Sequence, residues 1–93
     1  MNKFDAKIFH LIELLKNLGK IDFEKDFCND IGLLKQNLQR IKKGLAHFTP
    51  NHIQSICLVY NVNANWIFGI ENHIFMNLKN NQKSVQILNI QQT

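Results

Sequence analysis

The sequence predicts an all-α domain. Apolar residues recur at the helical period in successive short segments from residue 3 to about residue 69. Recognisable start and stop residues separate those segments, and the strict alternation of a half-buried strand does not occur among them. A chain of 93 residues, 45% of them hydrophobic, supports one small core rather than two. With seven Phe and one Trp it holds enough apolar bulk to exclude wholesale disorder.

The first helix is expected over residues 3–18, where Phe4, Ile8, Leu11, Ile12, Leu15 and Leu18 share one face and Gly19 ends the run. Asp22 is placed to cap a short second helix. Glu24 and Asp26 suit the positive end of its dipole, and Phe23 and Phe27, four apart, form its apolar side. Gly32 then interrupts the helical run and permits a left-handed residue. A third helix is expected from about Leu34 to Lys43, stopped by Gly44.

The fourth helix carries the clearest start signal. Thr49 is a good N-cap, Pro50 fits the first helical position, and Phe48 with Ile53 forms a hydrophobic staple. Ile53, Ile56, Cys57 and Tyr60 then continue the stripe. The device recurs at Asn63, with Val62 before the cap, Ile67 at the fourth position and Trp66 beside it as a core anchor. Residues 72–93, rich in Asn and Gln, fit neither period and leave a short helix, an exchanged strand and a loose end all open.

Charge is concentrated rather than spread. The net charge is +4, and residues 31–70 carry Lys35, Arg40, Lys42 and Lys43 with no acid. So local a positive field is a candidate footprint for an anionic polymer or surface, and equally fits a solvated helix face. Rotating about 100° per residue along the third helix separates two faces. Leu34, Leu38, Ile41 and Leu45 fall on one side, and Lys35, Gln36, Gln39, Arg40, Lys42 and Lys43 on the other. The second face mixes amides able to pair with base edges and cations suited to phosphate or guanine. Helix, glycine-containing turn and helix over residues 22–43 is the helix-turn-helix plan, in which the second helix enters the DNA major groove.

The run Ile31-Gly32-Leu33-Leu34-Lys35-Gln36-Asn37-Leu38-Gln39-Arg40-Ile41-Lys42-Lys43-Gly44 resembles the turn and recognition helix of the Cro/repressor-type (XRE) helix-turn-helix family. Tyr60-Asn61-Val62-Asn63-Ala64-Asn65-Trp66-Ile67-Phe68-Gly69 resembles the helix-4/helix-5 end common in repressor-like proteins of phages and mobile elements. Together the resemblance spans roughly residues 4–75. It implies a five-helix, lambda-repressor-like head over residues 1–70 with an extension over 71–93, binding operator DNA as a dimer. Carried over by position, Lys35, Gln36, Gln39 and Arg40 take base-reading places, and Asn37 and Lys43 touch phosphate. Lys42 and His47 join the phosphate set, His47 from the loop after the recognition helix. The sequence departs from the pattern at Leu34, where the family has a Ser or Thr cap, and at Glu24, whose carboxylate repels DNA unless it turns away or pairs with Lys25.

Other residues suggest different chemistry and do not complete it. His10, His47, His52 and His73 show no shared ligand spacing, and Cys28 and Cys57 fall on apolar faces without a Cys-x-x-Cys pattern. No Ser-His-acid arrangement, carboxylate pair or glycine-rich phosphate loop stands out, so no enzyme, cofactor, metal or small-molecule substrate is expected. Apolar runs fall far short of the ~20 residues that span a bilayer, and no secretory leader is evident; a reduced, cytoplasmic protein is expected. Leu58, Val59, Phe68, Ile70, Ile74 and Phe75 exceed what one small core needs. Phe68, Ile70, Ile74 and Phe75, with the chain beyond Leu78, are therefore the expected dimerisation surface. The alternative to a repressor is a helical protein-interaction module, antitoxin-like or regulator-binding, with weak or no specific DNA binding.

Overall fold

A computed structural model describes residues 1–76, and within them the chain is all-α. The order is α1 (Lys3–Asn17), α2 (Glu24–Ile31), α3 (Lys35–Lys42), α4 (Pro50–Tyr60) and α5 (Ala64–Ile67). No strand occurs among the described residues, although Val62 and Phe75 form one isolated antiparallel bridge. The expected helix, exchanged strand or loose end beyond residue 76, including the part of the dimer surface past Leu78, lies outside the described residues.

α1 forms the spine of the core through fully buried Ile8, Leu11, Ile12 and Leu15. Leu18, expected on the same face, is the C-cap and is exposed; the chain turns at Gly19, with φ 74°, and Ile21 beyond that turn is buried in the core instead. α2 packs against α3 and α4, while α5 packs against α1 and α4. Phe27 is fully buried and stacks on Tyr60 with centroids 5.8 Å apart. Tyr60 in turn donates its hydroxyl to Asp30 at 2.5 Å, pinning α4 to α2. Burial raises the Tyr60 pKa, with the Asp30 contact acting in the same direction.

The start of α2 differs from expectation. Phe23 rather than Asp22 is the N-cap, and the carboxylate of Asp26 accepts from the backbone N–H of both Phe23 (2.8 Å) and Asp22 (3.1 Å). These bonds hold the Asp26 carboxyl below its ordinary pKa. Because Phe23 sits on the extended cap backbone, its ring is exposed rather than paired with Phe27 in the core.

α4 starts as the sequence indicates. Thr49 Oγ1 accepts from the His52 N–H at 3.3 Å, Pro50 opens the helix, and Phe48 and Ile53 are buried beneath the turn. His52 completes the cap reciprocally, its Nδ1 accepting from the Thr49 N–H at 3.1 Å. That bond needs an unprotonated Nδ1, and burial holds the imidazole below its usual value of 6.5. The unfolded chain thus takes up the proton more readily. Stability from this group is complete above 6.5 and declines as the pH falls through the lower folded-state value. Thermal melts from about pH 7 to about pH 5 should show Tm falling, and His52→Gln, whose amide oxygen can still accept, should flatten that component. Equal slopes in the two proteins would show that His52 does not titrate across this range.

Candidate nucleic-acid interface

The turn between α2 and α3 is set by two backbone features. Gly32 adopts φ 71°, and the Leu33 N–H closes the end of α2 on the Cys28 carbonyl at 2.9 Å. Leu34 then takes an extended backbone (φ −70°, ψ 141°), while its carbonyl accepts from Asn37 (2.9 Å) and Leu38 (3.1 Å). As the sequence indicated, no side chain caps α3. Leu38 and Ile41 are buried and fix the rotation of the helix about its axis.

That rotation leaves Lys35, Gln36, Asn37, Gln39, Arg40 and Lys43 exposed. None of the six side chains makes a hydrogen bond or ion pair among the described residues. The face is therefore cationic and amide-rich, without an acid of its own. Leu34 and Leu45 were expected beside Leu38 and Ile41, yet both are exposed, at 60% and 63%. The wheel applies only while the chain is helical. Leu34 is an extended cap, and Leu45 follows Gly44, whose φ of 77° turns the chain away. Leu33 and Phe48 fill the core positions instead.

Lys42 departs from the expected phosphate set. Its ammonium pairs with the Glu24 carboxylate at 2.7 Å and lies 5.9 Å from the Phe9 ring centroid. Four positions along a helix return the side chain to within about 40° of where it began, so Lys42 lies near Leu38 and leans toward α2. The same pair disposes of the Glu24 departure, although the partner is Lys42 and not Lys25, which sits over the Phe23 ring. Removing the carboxylate should release Lys42. Glu24→Gln is expected to raise affinity for random-sequence duplex and steepen its salt dependence by about one unit of slope. Salt titrations of both proteins check this, and identical slopes would place neither group in the field of the DNA.

His47 is anchored from a residue the sequence did not single out. Asp5, in the first turn of α1, is fully buried; its carboxylate meets His47 Nδ1 at 2.7 Å and accepts from the Phe48 N–H at 3.1 Å. A carboxylate can only accept, so Nδ1 carries the proton, and Asn2 Nδ2 lies close by at 3.3 Å. His47 Nε2 has no hydrogen-bond partner among the described residues. In the neutral ring that nitrogen is an acceptor, so only the imidazolium can donate to a phosphate there. An acid in a first helical turn looks like a dipole-compensating residue, and no local pattern announces a partner 42 positions away.

The expected dimer surface divides in two. Phe68 and Ile70 are exposed, at 55% and 72%. Ile74 and Phe75, expected to lack partners, pack against the chain's own core. The Ile74 carbonyl accepts from Asn63 at 2.7 Å, and the bridge to Val62 holds Phe75 in place. Trp66 is buried as an anchor, with Lys7 Nζ 5.2 Å from its ring centroid and donating to its carbonyl at 2.8 Å. Cys28 and Cys57 are free thiols, both raised in pKa by burial. No group of three or more metal-ligating side chains converges among the described residues, and no helix there is long and apolar enough to cross a membrane.

No family model, curated protein or solved structure matches the chain.

Proposed function

We propose that the protein is a sequence-specific DNA-binding transcriptional regulator, a repressor of the lambda-repressor-like, helix-turn-helix kind. α3 enters the major groove of double-stranded DNA, and two copies bind a two-fold symmetric operator. One observation carries the reading: the exposed face of α3 presents Lys35, Gln36, Asn37, Gln39, Arg40 and Lys43, with no acid among them and no internal partner among the described residues. A face kept only for solubility would usually intersperse Glu with Lys and Arg. Lys35, Gln36, Gln39 and Arg40 read base edges, while Asn37, Lys43 and His47 hold the backbone.

Selection from randomised duplexes tests the proposal. The expected result is enrichment of one inverted-repeat sequence, bound with an affinity that falls steeply with salt. A second reading, a protein-interaction module, is favoured by an almost wholly apolar groove of about 470 Å³ between α1, α4 and α5, lined by Phe4, Ile53, Cys57, Leu58 and Phe68 among others. No enriched sequence and a flat salt response would favour that module over the repressor.

A further inference from the structure

Leu34 forgoes the burial that the fold gives its apolar neighbours. The core beside α3 is filled by Leu33, Leu38 and Ile41, all 6% exposed or less, while Leu34 remains 60% exposed. Its backbone is nonetheless fixed: the extended conformation turns the side chain away from the core, and its carbonyl is engaged by the first turn of α3. The residue therefore presents methyl groups from a rigid root. It stands immediately before Lys35 and Gln36, at the N-terminal end of the helix. In helix-turn-helix docking that end contacts base edges. The major groove offers amide- and cation-reading groups at every base pair but only one apolar feature, the C5-methyl of thymine.

Resting on the DNA-binding reading above, we infer that Leu34 is a specificity residue that packs against a thymine C5-methyl group beside the base edge read by Lys35 or Gln36. A leucine at the N-cap position supplies no capping oxygen but offers an apolar reader, so the missing side-chain cap and the exposed leucine have one explanation. The half-site accordingly contains a required thymine whose methyl, rather than its Watson–Crick edge, is recognised.

The test takes the best duplex from selection and replaces its thymines one at a time with deoxyuridine, which removes the methyl and keeps the base pair. At one position in each half-site the wild-type protein should lose about 4-fold in affinity, the value expected for one buried methyl. Leu34→Ala should bind the thymine duplex about as weakly as wild type binds the uracil duplex, and should no longer distinguish the two. The variant alters an exposed side chain that makes no cap, so its thermal melt should match wild type and any loss of binding is not a loss of fold. If a duplex is selected but no thymine is sensitive, or if Leu34→Ala keeps the full sensitivity, the assignment of Leu34 is overturned while DNA binding stands. If no duplex is selected, the DNA-binding reading and this inference fall together.

Discussion

Leu38→Ala should cost about 2–5 kcal/mol of folding stability, whereas Gln36→Ala, two positions away, should leave the melting temperature unchanged and weaken specific DNA binding by about 1–3 kcal/mol. Leu38 is fully buried where α3 meets the core, and truncation leaves a cavity that an eight-residue helix cannot close by shifting. A domain of this size has on the order of 5–15 kcal/mol in all, so much of the variant would unfold on mild heating. Gln36 is exposed and makes no hydrogen bond among the described residues, so nothing in the fold depends on its amide. Thermal melts paired with gel shifts on the selected duplex separate the two roles. An early melt for Gln36→Ala, or normal binding by it, would contradict the division of α3 into a folding face and a reading face.

The second large effect concerns assembly. Ile70→Glu should leave the melt of the isolated domain unchanged, because the residue is 72% exposed, yet abolish dimers and lower operator affinity by about 10²–10⁴-fold. On the DNA-binding reading, one recognition helix with four base readers covers too few base pairs to select a site in a genome, and a two-fold axis doubles the contacts without new protein. Phe68 and Ile70 form the part of the expected surface that the described residues leave exposed. In the complex the two α3 helices should lie about 34 Å apart, in successive major grooves. Light scattering of the free protein and footprinting of the complex check both points. A wild-type monomer that protects a single asymmetric half-site at saturation would overturn the dimer.

Elements with a local start signal were legible in the sequence. Thr49-Pro50 and Asn63 open α4 and α5 where the capping pattern places them, and the staples Phe48–Ile53 and Val62–Ile67 are buried as a hydrophobic staple requires. Periodicity failed where the backbone stops being helical. Phe23, Leu34 and Leu45 sit at or just beyond a helix end, so their exposure follows from extended cap dihedrals and from Gly44, while Leu18 ends α1 where Ile21, past the Gly19 turn, takes the core place. Contacts between distant segments left no trace in one dimension. Asp5 with His47, and Glu24 with Lys42, are separated by 42 and 18 positions, and each becomes visible only once α1, α2 and α3 are packed. The covering of Ile74 and Phe75 is of the same kind, because a single bridge to Val62 is too short to show an alternating pattern.

The Glu24–Lys42 pair bears on how the protein would divide its time in a cell. On the DNA-binding reading, every copy of the operator competes with on the order of 10⁶–10⁹ random sites, to which the protein clings through charge alone. A lysine already neutralised by its own neighbour adds nothing to that clinging, while the amides of α3 keep their discrimination. On that reading the pair acts as a counterion carried within the fold: it shortens each stay on any sequence alike and leaves discrimination to the base readers of α3.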